Sequence, residues 1–295
     1  MSLLAGYPGL RGLAALERAA ADADPLVRRA AAGALPALEP PERVRLGSAL
    51  LSDTVRSVRL EAVPALAAVP AGVLLPDLRP AIDRALAEYR KSQLFNADRA
   101  EAHMNLGTLE AQLGRLEPAM AEYQAALRMQ PAFVPAHVNL SDVLRMAGRE
   151  REAEAVLRDA LRIAPGDPDL HHALGLALVR QNRVGEALAE LARAAERGPG
   201  DPRHAYIYAV ALHDAGARPR ALAVLEAAQR RHPADRPILE ALFSYGAEAG
   251  DLDRAALWAR KLAELAPGDL EARRRLDEIE RLRRARVPRG RRPSR

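Results

Sequence analysis

The sequence predicts an all-α fold, an α-solenoid in which two kinds of helix pair follow one another along the chain. Three observations carry this prediction. Alanine, leucine, arginine and glutamate dominate a chain of 295 residues in which aromatics make up only 3%, so helix formers are abundant and typical strand residues scarce. Pro131, Pro165, Pro199, Pro233 and Pro267 stand 34 residues apart without one insertion or deletion. The first 70 residues keep another period, because Val27, Arg28 and Leu35 return 31 residues later as Val58, Arg59 and Leu66.

The N-terminal period also repeats Asp22 as Asp53. An aspartate just before a Val-Arg helix start can cap that helix and favour its dipole. The pattern resembles short HEAT-like repeats, which implies helix pairs over residues 1–70. Carried backwards, the period places Leu4 opposite Leu35, so the first repeat is incomplete and leaves apolar surface uncapped. The expectation is that the chain is the C-terminal part of something longer, or that an upstream domain or partner docks there. Residues 71–99 are a junction, with a helix over 79–95 whose Ala85 and Tyr89 suit it to join the two arrays.

From residue 100 the 34-residue period governs. Gly114, Gly148, Asn182, Gly216 and Gly250 fall between two amphipathic patterns, where the first helix must end at positive φ and only Gly or Asn does so cheaply. Ala119, Ala153, Ala187, Ala221 and Ala255 sit where two helices cross closely. The prolines then stop the second helix, lacking an amide hydrogen and biasing the preceding residue away from helix. Each unit reads as helix A, tight turn, helix B, stop. Leu106, Gly107, Ala119, Tyr123, Ala126 and Pro131, with Leu174, Gly175, Ala187, Leu191, Ala194 and Pro199, resemble the tetratricopeptide repeat family. The likeness implies a right-handed superhelix of five repeats, at 100–133, 134–167, 168–201, 202–235 and 236–267. The fifth departs from the pattern at Phe243, where a small residue is expected, and at Leu262, where alanine is.

Residues 268–284 read as a capping helix with Leu270, Ala272, Leu276, Ile279 and Leu282 on its apolar side. The remainder, 285–295, has too little apolar content to order and is expected to be a disordered Arg-rich tail. The formal charge of +5 belongs to this end: eight arginines and no acid lie within residues 281–295, so residues 1–280 carry −3. The body is not a basic scaffold for nucleic acid.

No cysteine occurs, which excludes disulfides, thiolate metal sites and thioether-attached haem within the chain. No apolar run reaches the ~18 residues that a membrane span needs, and Met1 to Leu10 lacks the basic and apolar regions of a signal peptide. This fits a cytoplasmic protein if Met1 is the true start. A HEAT-like array followed by tetratricopeptide repeats also resembles the C-terminal region of some bacterial exported multihaem cytochrome c proteins, which would place a fragment in the periplasm. No Cys-x-x-Cys-His is present to carry that haem chemistry.

For function, no nucleophile elbow, phosphate-cradling glycine loop or His-Glu-x-x-His occurs, and no enzyme, cofactor or metal site is expected. The tetratricopeptide resemblance implies a concave groove lined by helix A. Carried over residue by residue, it selects Asn105, Thr108, Asn139, Asp142, Arg145, His172, Leu176, Val179, Tyr206, Val210 and His213. Such a surface suits a peptide or protein segment with one or two apolar anchors. Asn105 and Asn139 either form a ladder toward a peptide backbone or bond a neighbouring helix. His103, His137 and His171 keep the 34-residue spacing too, but repeats stack ~10 Å apart, too far for one ion, and they are read as packing between helices. Two alternatives stand beside the peptide scaffold. One is the interaction domain of a larger bacterial multihaem redox protein; the other, less favoured, is polyanion binding by the tail to nucleic acid or anionic lipid.

Overall fold

The computed structural model describes residues 10–70, 72–74 and 76–286. These residues form sixteen α-helices and two single 3-10 turns, with no strand among them, so the all-α solenoid reading holds. The chain divides into two compact units, one ending at Val156 and the other beginning at Leu157.

In the first unit, α1 (Leu10–Ala20), α2 (Pro25–Ala34), α3 (Pro40–Leu50), α4 (Arg56–Ala67) and α5 (Arg79–Phe95) precede α6 (Ala100–Gln112), α7 (Leu116–Met129), α8 (Val134–Met146) and the start of α9 (Glu150–Ile163). Leu16, Leu35, Leu50, Val58, Leu66 and Leu86 make one core, and each such burial contributes about 1.5–3 kcal/mol. Ala85 and Tyr89 of α5 and Leu109 of α6 belong to that same core. Side chains of the helix over 79–95 thus share a core with those of the earlier helices and with one residue of α6.

The 31-residue period turns out to be a ladder of guanidinium contacts. Arg28 grips Asp53 with Nε and Nη2, at 2.6 and 3.0 Å, while its Nη1 donates to the carbonyls of Asp22 and Ala23. One period later Arg59 grips Glu88, at 2.8 and 2.6 Å, and donates to the carbonyls of Asp53 and Thr54. The expected helix cap is corrected by this geometry. Asp24, not Asp22, caps α2, while Asp53 accepts from the amide of Val55, the residue before α4, in a turn. Its carboxylate is held mainly for Arg28, which pulls the acid below its usual range.

The second unit holds the rest of α9, then α10 (Pro168–Arg180), α11 (Val184–Arg197), α12 (Pro202–Asp214), α13 (Arg218–Arg231), α14 (Arg236–Glu248), α15 (Leu252–Leu265) and α16 (Leu270–Arg286). Asp167, Asp201, Asp235 and Asp269, at 34-residue spacing, each accept an amide of the following helix's first turn. Proline follows directly in α10 and α12, where its missing amide costs nothing.

Across both units the turn residues behave as the spacing requires: Gly114, Gly148, Asn182, Gly216 and Gly250 all have φ between 58° and 80°. Helices A and B cross so closely that a Cβ on Gly107 would stand 2.7 Å from the Tyr123 ring, and one on Gly175 would stand 2.6 Å from Leu191 Cγ. Of the fifth pair's two departures, Leu262 is buried in a core with Leu239, Trp258 and Ala272, and Phe243 has a physical answer. Phe243 packs half-buried against Ala255, Ala259 and Ile279, and Ala259 occupies the place that Tyr123 and Leu191 hold in their pairs.

The last helix differs from expectation at both ends. It runs to Arg286, two residues into the stretch assigned to the tail; Arg283 reaches Asp253 of α15, and Arg284 pairs with Glu280 one turn back. Ala272 and Ile279 are buried, but Leu282 is exposed, and so is Leu270, which lies about 200° round the helix from Ala272. The remaining tail and the Leu4 segment lie outside the described residues.

Candidate functional site

Helix A places the selected residues in two groups, one in each unit. In the first unit α6 carries Asn105 and Thr108, and α8 carries Asn139, Asp142 and Arg145. Much of this group is engaged internally. Asn105 Nδ2 donates to Gln93 Oε1 of α5 at 3.2 Å. Thr108 Oγ1 donates to the Met104 carbonyl at 3.0 Å and accepts from the Tyr123 hydroxyl at 3.1 Å. Tyr123 is also hydrogen-bonded to Asn139, and burial pushes its hydroxyl above the usual range. Each of the two asparagines thus has a partner on a neighbouring helix. Asp142 and Arg145 face each other at 3.6 Å and are largely solvated, an exposed pair that contributes little on its own.

In the second unit α10 carries His172, Leu176 and Val179, and α12 carries Tyr206, Val210 and His213. All are partly exposed, Val179 the most. Beside His172 and Tyr206 opens a cavity of about 320 Å³, walled by Ile207 and by the rings of Pro202 and Pro237, with Arg203 and Asp235 at its polar side. Its walls are mainly apolar rings, which suits a buried side chain with a polar edge.

The two imidazoles are held differently. His172 meets His204 edge-on at 5.1 Å, and burial, then the His204 and Arg203 charges, lower its pKa, favouring a neutral ring. His213 lies flat on Tyr245 at 3.8 Å and 8°. Glu248 Oε2 comes within 3.0 Å of its Nε2 but off the direction a hydrogen bond needs. Burial, with Asp214, Tyr206 and Glu248 nearby, pushes the Tyr245 hydroxyl up to about 12.

Sequence reasoning passed over Tyr245, Ile207 and the two prolines. Tyr245 lies one residue beyond the position 34 after Val210, and only the structure shows the ring turning onto His213. The capping aspartates were legible as a 34-residue series beside the prolines.

The histidine series packs between helices and against loops. His103 reaches Glu122 at 2.6 Å and the Ala97 carbonyl at 3.1 Å; His171 repeats this with Glu190 and the Pro165 carbonyl, and His137 reaches the Pro131 carbonyl at 2.8 Å. Among the described residues no helix is long and apolar enough to cross a membrane.

Comparison with known proteins bears on this architecture. A family model described as tetratricopeptide repeat matches residues 111–177 and again 144–210, and a second model with the same description matches 79–132. A search of curated proteins finds no relative that matches. Among solved structures, PilF of Pseudomonas aeruginosa is 20% identical, with a TM-score of 0.50 over 77% of this chain and 99% of its own. PilW, described as a widely conserved type IV pilus biogenesis factor, is 19% identical, with a TM-score of 0.49 over 65% of this chain and 95% of its own. YrrB, described as a TPR protein with an unusual peptide-binding site, is 23% identical, with a TM-score of 0.45 over 62% and 95%. At such identities the PilF likeness is one of fold.

Proposed function

The chain is a tetratricopeptide-repeat protein over residues 79–210, and on that premise we propose that it is a protein-interaction scaffold gripping a peptide segment on the helix-A face of its second unit. The observation that carries this reading is the cavity beside His172 and Tyr206, whose ring-lined walls suit an apolar anchor. Leu176, Val179 and Val210 continue the same face with partly exposed apolar surface. The groove residues of the first unit contribute less in this reading, because Asn105, Thr108 and Asn139 already share hydrogen bonds with neighbouring helices, Thr108 as the acceptor from Tyr123.

The repeat boundaries from 100 to 267 belong to the same proposal, as does a HEAT-like reading of α1 to α4, supported by the recurring Arg28 and Arg59 contacts. Selecting a random displayed peptide library against the intact chain tests the function. The expected consensus has one or two apolar anchors, and Leu176→Arg, with helicity verified by circular dichroism, no longer retains it. A consensus of acidic peptides retained equally by Leu176→Arg would sink the reading.

A further inference from the structure

His204 stands where a core aliphatic belongs. The residues one period before and after it, Leu170 and Ile238, are fully buried, and His204 itself is only 2% exposed. Room for its ring comes from Gly198, where a Cβ would fall 2.6 Å from His204 Cδ2. An imidazole in such a place ordinarily satisfies both nitrogens. Here Nδ1 has no partner, and Nε2 faces Asp169 Oδ1 at 3.5 Å, beyond the usual hydrogen-bond range. Asp201 completes a cluster in which one donor atom from each of the three residues lies within 4.8 Å of the others.

We propose that Asp169, Asp201 and His204 form a site for a divalent transition-metal cation of the zinc class, tying the N-terminus of α10 to that of α12. Two carboxylates and an imidazole are donors of the right kind for such ions. Tetrahedral bonds of ~2.1 Å put donors about 3.4 Å apart, so the cluster must close slightly. Asp169, more than half exposed, is the arm able to move. Asp201 is gripped by the Arg203 guanidinium through Nε and Nη2. That guanidinium is the ion's competitor: Arg203 Nη2 lies 2.6 Å from Asp201 Oδ2 on a side chain that is 74% exposed, and it must swing away as the metal enters. The fourth position is left to water. Because His172 abuts His204, the ion would also stiffen one wall of the cavity beside it.

Zinc titration of the full chain, free of any affinity tag, by calorimetry and by competition with a chromophoric chelator tests the site. One equivalent is expected to bind in the micromolar range. His204→Leu, which restores the aliphatic of the neighbouring periods, should abolish this binding with helicity intact, and Asp169→Asn should weaken it at least about ten-fold. Arg203→Ala, which releases Asp201, should tighten it. Absence of binding at about 1 mM zinc, or wild-type affinity in both His204→Leu and Asp169→Asn, overturns the proposal. Should His204→Leu fail to fold, the Asp169→Asn comparison decides alone.

Discussion

Phe243 and Ala259 hold, with sizes exchanged, the two places that Gly175 and Leu191 hold in an earlier helix pair. Ala259 is fully buried and Phe243 packs half-buried against its cluster, with the Arg275 guanidinium over the ring at 5.9 Å. The departure of the last pair from the repeat pattern is therefore a compensated one. Total volume at the crossing is kept while its source moves from helix B to helix A.

This exchange predicts a non-additive double-mutant cycle. Phe243→Ala opens a cavity and costs about 2 kcal/mol, and Ala259→Leu overfills the crossing at a cost of about 1–3 kcal/mol. Together they rebuild the combination that the preceding pair already holds as Ala209 and Leu225, both fully buried, so the double variant should be at least about 1 kcal/mol more stable than the sum of the single losses implies. Urea unfolding of the four chains measures it. Strict additivity would show that the two side chains do not share a space.

Gly175→Ala puts a methyl 2.6 Å from Leu191 Cγ and 3.3 Å from the Leu191 backbone nitrogen. The backbone contact cannot rotate away, so a loss of about 1–3 kcal/mol is expected in the same unfolding measurement. Gly185→Ala, which meets nothing within 4 Å, should match wild type or exceed it slightly.

At the helix turns the relevant cost is conformational. Gly216 has φ of 80° and Asn182 has φ of 58°. Gly216→Ala should therefore lose about 1–2 kcal/mol through left-handed strain, whereas Asn182→Gly should leave stability within about 0.5 kcal/mol of wild type. Equal effects of the two changes in thermal unfolding would remove the turn argument.

The Arg28 and Asp53 pair gives the acid response of the first unit a direction. Asp53 titrates below its unfolded value, chiefly through the Arg28 hydrogen bond. Its contribution is thus fully present above the unfolded pKa of about 3.9 and is lost as pH falls through the lower folded pKa. Asp53→Asn should lower stability at neutral pH and flatten the dependence of stability on pH below about 4. An unchanged acid-unfolding profile would show that the ladder contributes nothing there.

Much of this architecture was legible in the sequence because backbone geometry is written in single residues. A Gly or Asn at positive φ marks each turn, a buried alanine each crossing and a proline each stop, and all recur at one spacing. The helix over 79–95 was legible too, with Ala85 and Tyr89 on its buried side. The site was less so. Which hydroxyl Thr108 meets, which ring covers His213 and how Asp142 and Arg145 spend their charges are all set between side chains of different positions or helices, and periodicity carries no information about such pairs. Asp22 shows the limit most plainly: its spacing was right, but the partner of its counterpart Asp53 was an arginine 25 residues earlier rather than the helix it precedes.

A peptide-gripping face on α10 and α12 sets the affinity of a library-selected peptide, which fluorescence anisotropy measures. Tyr206→Arg should weaken it at least about ten-fold, by ~1.4 kcal/mol or more, with helicity unchanged, while deletion of residues 285–295 should leave it as it was. The opposite pattern, with affinity kept in Tyr206→Arg and lost with the tail, would take the binding site away from α10 and α12.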